Sequence, residues 1–187
     1  MNLWKDMPAG TDSPNSINVI VEIPKGSRNK YEFDKKTGAL RLDRVLYSSI
    51  YYPGDYGLIP QTFYDDGDPL DVLVMVNEPT FSGCIIQARP IGLFRMKDRG
   101  EPDDKILAVP EKDPFFRDYH DIADIPQHFL QEIAHFFAVY KDLEGAYVKT
   151  IGWEGAASAK SCIVYAIDLY KKNISKKRGD KSSTAKE

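Results

Sequence analysis

The order of the periodic segments most constrains the fold, because strand-like segments come first along the chain and helical segments come last. Apolar alternation or short apolar runs typical of strands occur at 17–23, 30–34, 40–45, 70–76, 85–96 and 105–109. Helical spacing appears at 124–145, with Asp124 as the expected N-cap, and again at 155–172. This order predicts an α+β fold with two main helices, and the close spacing of the short strands favours a small barrel.

Length and charge predict one domain and a separate tail. The chain has 187 residues, which suits a single domain over 1–172, and the Lys- and Ser-rich residues 173–187 are predicted to be a basic, disordered tail. The net charge is −3, but the residues before Lys171 contain 18 basic and 26 acidic side chains. An acidic body disfavours binding to nucleic acid, which depends on Lys and Arg.

No segment has the length and apolarity of a signal peptide or a membrane span, so a cytoplasmic protein without a membrane partner is expected. Cys84 and Cys162 lie far apart and lack nearby residues at zinc-ligand spacing. They are expected to be free thiols.

Three carboxylates at Asp66, Asp68 and Asp71 are the strongest chemical signal in the sequence. Hard oxygen donors at this density suit a divalent cation such as Mg²⁺ or Ca²⁺. The calcium-loop pattern starting at Asp66 fails, since Asn77 stands where it needs a Glu. A solvated acidic turn explains the cluster equally well when it is taken alone.

A second acidic group and several isolated cations accompany this cluster. Asp98, Glu101, Asp103 and Asp104 share one loop, which Lys105 follows directly. Separate cations at Lys30, Arg44, Lys105 and Lys141 lie beside carboxylates or tyrosines in segments predicted to be ordered. Acids that can bind metals, together with bases that can bind phosphate, indicate a phosphate site.

The sequence resembles the family I soluble inorganic pyrophosphatases. The run DGDPLDV at 66–72 looks like the family signature, and the similarity extends in order through VIVEIP, KYE, DR, YPGDYG, HFFAVYKDLE and GW. It covers the chain almost to Tyr170. The resemblance implies hydrolysis of pyrophosphate to two phosphates on an OB-like, five-stranded closed β-barrel flanked by two helices.

The resemblance also implies roles for individual residues. Two or more Mg²⁺ ions would be bound by Asp66, Asp71, Asp98 and Asp103, and Asp68 would act as the general base. The substrate-binding residues would be Lys30, Glu32, Arg44, Tyr52, Tyr56, Lys105, Tyr140 and Lys141, with Glu22 in a supporting position. A homohexamer is implied, with His135 at a subunit contact.

Other interpretations of the same residues remain. A phosphohydrolase for another diphosphate would use the same acids and bases. Tyr51, Tyr52 and Tyr56 could stack on bases in a nucleic-acid-binding barrel, although nearby Asp55 and Asp65 argue against it. His128 and His135 are seven residues apart, a spacing that favours packed or interface histidines over a metal pair.

Overall fold

The computed structural model describes the backbone of residues 2–183 and the side chains up to residue 175. In this part of the chain the strands are β1 (Ile17–Ile23), β2 (Asn29–Phe33), β3 (Leu40–Val45), β4 (Asp55–Leu58), β5 (Asp71–Val74), β6 (Ile85–Asp98), β7 (Glu101–Pro102), β8 (Lys105–Pro110) and β9 (Val148–Gly155). The helices are α1 (Leu3–Asp6), α2 (Gln127–Val139) and α3 (Ala156–Ser183), and three short 3₁₀ turns lie at 114–116, 122–124 and 142–144. None of the described helices is long and apolar enough to cross a membrane.

Five strands close into a ring. β1 pairs with β4, β4 with β5, β5 with β8, β8 with β6, and β6 returns to β1. β5 and β8 are parallel, and the other four pairs are antiparallel. The long strand β6 also pairs with β7 and β9 beyond the ring, and β2 and β3 form a separate hairpin. The predicted α+β class, with five closed strands and two main helices, is confirmed.

The pleat of the ring strands divides the core between the two helices. Val72 and Ile106 belong to a cluster that includes Ile163 of α3, whereas their neighbours Leu73 and Leu107 belong to a cluster with residues of α2. Because successive side chains of a strand point to opposite faces, β1, β5, β6 and β8 each contribute to both clusters, whereas β4 contributes Tyr56 to the second cluster only. The strands thus bury both faces and are fixed in register from both sides.

Pro53 and Gly54, typical turn residues, predict a loop over residues 51–60. This prediction is wrong, because the chain forms strand β4 there and all four residues of β4 are buried. Gly57 lies against β1 so closely that a Cβ there would come within 2.0 Å of the carbonyl oxygen of Ile20. The glycine therefore permits a close approach of two strands.

The helix boundaries also differ from the predictions. The Asp124 carboxylate accepts the backbone N–H groups of His120 and Asp121, so it caps the preceding turn, and α2 begins at Gln127. β9 was not predicted. α3 continues to Ser183, past its predicted end near Lys172, because no proline interrupts the segment. Residues 184–187 of the predicted tail lie outside the described residues.

Candidate active site

One cavity of about 660 Å³ collects most of the predicted site residues. They come from strands of the ring, from the β2–β3 hairpin, from the turn between β4 and β5, and from the residues just after α2. The predicted residues that line it are Glu22, Lys30, Glu32, Tyr56, Asp66, Asp68, Asp71, Asp98, Asp103, Lys105, Tyr140 and Lys141. Residues separated by up to 119 positions in the sequence, from Glu22 to Lys141, thus face one space.

Lys105 lies at the centre of the acidic groups. The parallel register of β5 and β8 places it opposite Asp71, and its Nζ lies 2.6 Å from Asp71 Oδ2. It also pairs with Asp103, and the Tyr56 hydroxyl donates to the same Asp71 oxygen at 2.6 Å. Burial alone would lower the pKa of Lys105, but the two aspartates outweigh it and raise that pKa. The ammonium is therefore held charged although its side chain is only 3% exposed.

Glu22 lies at the base of the cavity on β1. One carboxyl oxygen accepts the Phe33 backbone N–H at 2.6 Å, which joins the β2–β3 hairpin to the ring. Burial, and next the negative charge of Asp71, raise the pKa of Glu22 to about 8. The carboxyl group is thus protonated at neutral pH in this arrangement.

Asp66 and Asp68 share a glycine-containing turn at the mouth of the cavity. The Asp68 backbone N–H donates to Asp66 Oδ1 at 2.9 Å, and Gly67 has a φ of 82°, a conformation that favours glycine. Desolvation, then the charges of nearby aspartates including Asp71, raise the pKa of Asp66 to about 6 against the lowering effect of that N–H. The Asp68 carboxylate points across the mouth and pairs with Lys35.

Lys141 and Asp98 form the opposite wall. Their side chains pair directly, and both are largely buried. The other oxygen of Asp98, Oδ1, is buried and has no hydrogen-bond partner among the described residues. Burial raises the pKa of the neighbouring Tyr140 hydroxyl. Asp98 therefore retains an unused acceptor in the acidic cavity.

Arg44 and Tyr52 are the two predicted site residues that do not line the cavity. The Arg44 guanidinium makes a two-point contact with Glu144, at 2.9 and 2.8 Å, and also pairs with Asp43. Tyr52 is 2% exposed and packs its ring against Phe136. The structure thus places Arg44 beside a lining residue, Asp43, and Tyr52 in the core below.

The lining as a whole is acidic. Six basic side chains, those of Lys30, Lys35, Lys36, Arg41, Lys105 and Lys141, face ten acidic ones: Glu22, Glu32, Asp34, Asp43, Asp66, Asp68, Asp71, Asp98, Glu101 and Asp103. Within the described chain, no three of the acidic, histidine or cysteine side chains already converge on a point that could hold a metal ion. Asp68, Asp71, Asp98 and Asp103 each contact a lysine instead. The hard oxygen donors, the acidic excess and the unpartnered Asp98 oxygen nevertheless fit divalent cations.

Sequence reasoning missed several lining residues. Lys35 contacts Asp68 and the Gly67 carbonyl oxygen, the latter at 3.1 Å, although these residues are 32 or more positions apart. Glu144 was not foreseen as the partner of Arg44. The position of Lys35 beside the β2–β3 turn carries no signal for these contacts, because they depend on how the hairpin packs on the ring.

The alternative interpretations gain little from the structure. His128 and His135 are both exposed, and His128 lies 3.4 Å from Glu132 on its own helix. Tyr52 and Tyr56 are buried in the core, and only Tyr51, 56% exposed, could offer a ring to a base. Cys84 and Cys162 are free thiols, as predicted.

Comparisons with known proteins agree on one family. Residues 19–171 match the family model described as "Inorganic pyrophosphatase". The chain is 54% identical to the inorganic pyrophosphatase of Haloferax volcanii over 93% of this chain and 99% of that protein, and 49% identical to the soluble inorganic pyrophosphatase of Zea mays over 91% and 80%. The crystal structure of the inorganic pyrophosphatase from Thermus thermophilus superposes with a TM-score of 0.88 at 41% identity, covering 91% of this chain and 99% of that one.

Proposed function

The chain belongs to the family I soluble inorganic pyrophosphatases, and we propose that its acidic cavity carries out the reaction with magnesium ions and with Asp68 as the general base. The chain is an enzyme that hydrolyses inorganic pyrophosphate to two phosphates. The metal, the roles of individual residues, the assembly and the location in the cell are the parts that we propose.

The acidic excess of the cavity is the observation that carries the proposal of magnesium. Pyrophosphate is itself strongly negative, and even with Glu22 protonated the lining has nine other acidic side chains against six basic ones, an excess that would repel it. Bound divalent cations would offset this excess. We propose that two or more Mg²⁺ ions are held by Asp66, Asp71, Asp98 and Asp103, all of which line the cavity. When bound, such ions lower the pKa of a water molecule and offset the charge that develops on phosphorus.

Asp68 is suited to the role of base by its position. Its side chain is 62% exposed at the cavity mouth, so water reaches it freely, and it lies in contact with Lys35. A carboxylate held there accepts a proton from a water that attacks phosphorus in line. The proton passes to Asp68 as the oxygen–phosphorus bond forms and the bridging oxygen leaves with the second phosphate.

The basic lining residues bind the phosphoryl oxygens. Lys30, Lys105 and Lys141 each contact a carboxylate in the structure, and the same ammonium groups would suit the phosphate oxygens of the substrate. Tyr56 and Tyr140 supply hydroxyl donors from the same walls. Arg44 is proposed to bind phosphate from its place beside Asp43 at the edge of the cavity. Glu22 and Glu32 orient these groups, and Tyr52 supports Tyr56 from below.

We propose that the ring of five strands is an OB-like closed barrel. Numbered along the chain, its strands neighbour one another in the order first, second, third, fifth, fourth, and the third and fifth are parallel.

A homohexamer and a cytoplasmic location complete the proposal. Exposed apolar side chains such as Tyr147 and Ile151, 73% and 60% exposed, are consistent with subunit contacts. Light scattering of the purified chain would test the hexamer.

Phosphate release tests the proposed function. Pyrophosphate and nucleoside triphosphates are each assayed with Mg²⁺ and with EDTA, and with single-stranded DNA as a competitor. We expect release from pyrophosphate that requires Mg²⁺ and is unaffected by DNA. Release from triphosphates alone would favour a phosphohydrolase for another diphosphate. Inhibition by DNA would favour a nucleic-acid-binding barrel.

A further inference from the structure

A network of polar side chains, buried at Asp104 and Tyr64 and partly exposed at Arg95 and Glu154, lies behind the cavity and is not part of its lining. Its central residue is Asp104, which is 4% exposed and directly follows Asp103. One Asp104 oxygen accepts the Tyr64 hydroxyl and an Arg95 N–H, both at 2.6 Å, and the other accepts the Met96 N–H at 3.1 Å. Arg95 is held in turn by Glu154, with contacts at 2.9 and 3.4 Å. Every charge in this network has a partner, as a buried network requires.

Tyr64 begins the turn that carries two of the cavity's acids. We name residues 64–68 the acidic turn. The Tyr64 backbone N–H donates to the Asp68 carbonyl oxygen at 2.7 Å, and its own carbonyl accepts the Gly67 N–H at 2.9 Å. These two bonds make the turn a closed unit whose position follows that of Tyr64. The Tyr64 side chain is 8% exposed and packs in the core cluster shared with α3.

Besides the pairing of β5 with β8, two side-chain contacts join the segment 64–71 to the segment 103–105. On the cavity side, Lys105 contacts Asp71. This contact is open to competition, because both groups face the space that substrate and cations would occupy. Behind the cavity, the Tyr64 hydroxyl contacts Asp104. This second contact is absent from the lining and persists whatever fills the cavity.

We propose that Tyr64 is a positioning residue for pyrophosphate hydrolysis, because its hydrogen bond to Asp104 ties the acidic turn to the segment 103–105. The inference rests on the site proposed above. The acids of these two segments repel one another, so their separation has to be fixed by contacts outside the cavity. The Tyr64 hydroxyl fixes this separation, because Tyr64 belongs to the acidic turn and its hydrogen bond ends on the Asp104 carboxylate.

Tyr64→Phe removes the hydroxyl and keeps the ring in the core. Misplacement of catalytic groups by about 1 Å can cost roughly 100-fold in rate. We expect Tyr64→Phe to lower kcat about tenfold or more and to raise the Mg²⁺ concentration for half-maximal activity, with little change in the KM for pyrophosphate. Without metal, amide hydrogen exchange of residues 66–68 should be faster than in the unsubstituted chain.

Tyr165→Phe is the matched control. A second pocket, which we name the rear pocket, is lined by Tyr64, Asp65, Arg95 and Tyr165 among others. The Tyr165 hydroxyl donates to Asp65 of the acidic turn at 2.7 Å. Its ring is 46% exposed and makes no contact with Asp104 in the structure. We expect kcat and exchange within about twofold of the unsubstituted values, in keeping with a surface substitution.

Three results would overturn the inference. The first is unchanged kcat, Mg²⁺ requirement and exchange in Tyr64→Phe. The second is a lower melting temperature with unchanged kcat well below melting, which would mean that Tyr64 only stabilises the fold. If Tyr64→Phe does not fold, Asp104→Asn, which keeps an acceptor for Tyr64, is compared with Asp104→Ala. The third result that would overturn the inference is an equal kcat in Asp104→Asn and Asp104→Ala. If instead the unsubstituted chain leaves pyrophosphate intact, the proposed function fails. Amide hydrogen exchange of residues 66–68 still tests whether the Tyr64–Asp104 hydrogen bond holds the acidic turn in place.

Discussion

Asp68→Asn should lower the rate of hydrolysis while leaving the stability of the fold almost unchanged. Asparagine has nearly the shape of aspartate, and the bond from the residue 68 N–H to Asp66 Oδ1 is unaffected by the change. The substitution removes one charge and the contact with Lys35, between side chains that are 62% and 35% exposed. Such exposed pairs contribute about 0 to 1 kcal/mol, so the free energy of unfolding should fall by less than about 1 kcal/mol.

The effect on the reaction should be far larger. A positioned general base contributes about 10² to 10⁴ in rate, and asparagine cannot accept the proton. This corresponds to roughly 3 to 5 kcal/mol of activation free energy. We therefore expect kcat for pyrophosphate to fall at least 100-fold while the urea midpoint stays almost constant. The measurement is phosphate release at saturating Mg²⁺ and pyrophosphate.

Asp65→Asn provides the control. The Asp65 side chain is also exposed and belongs to the same turn, but it lines the rear pocket rather than the cavity. Its kcat should stay within about twofold of the unsubstituted value. A kcat for Asp68→Asn within threefold of that control would refute Asp68 as the base. Full kcat at a higher Mg²⁺ concentration would make Asp68 a metal ligand instead.

Three further predictions concern buried charge. Because the folded pKa of Glu22, about 8, lies above its ordinary value of 4.5, the folded state binds more protons between these values, and stability should fall as pH rises from about 5 to 8. Urea titrations in EDTA should show a fall on the order of 4 kcal/mol, and Glu22→Gln should flatten it. Lys105→Met leaves two buried carboxylates without their cation and should cost about 3 to 5 kcal/mol in EDTA, with Mg²⁺ restoring more stability than in the unsubstituted chain. Equal Mg²⁺ stabilisation would place the ions elsewhere. Arg44→Lys loses the two-point contact with Glu144 and should raise the KM for pyrophosphate several-fold, measured beside Lys36→Arg as a charge-conserving control.

The elements that the sequence predicts well are those whose pattern is local. β1, β2 and β3 alternate or turn in ways that short-range rules describe, and the structure confirms all three. β4 and β9 were missed because both contain glycines, which resemble turn signals. Gly57 is needed for contact with β1, and β9 pairs with β6 fifty or more positions away. Their pairing depends on distant segments that no local window contains.

The candidate site shows the same division. The identities of Asp66, Asp71 and Lys105 follow from the family resemblance, and the cavity contains all three. Their partners could not be predicted, since the contact of Lys35 with Asp68 depends on how the hairpin docks on the ring. Arg44 was expected among the phosphate ligands, yet the structure pairs it with Glu144, a residue 100 positions away.

The parallel pair of β5 and β8 places a positive charge inside a cavity rich in carboxylates. Register in this pair sets Lys105 opposite Asp71, so a buried ammonium lies among the acids of both strands. An ammonium is one charge, whereas the lining, apart from the protonated Glu22, has nine acidic and six basic side chains. Lys105 therefore offsets part of the repulsion among these acids and leaves an acidic excess. The remaining negative charge favours the binding of divalent cations. Bound cations would in turn favour the binding of an anion as highly charged as pyrophosphate.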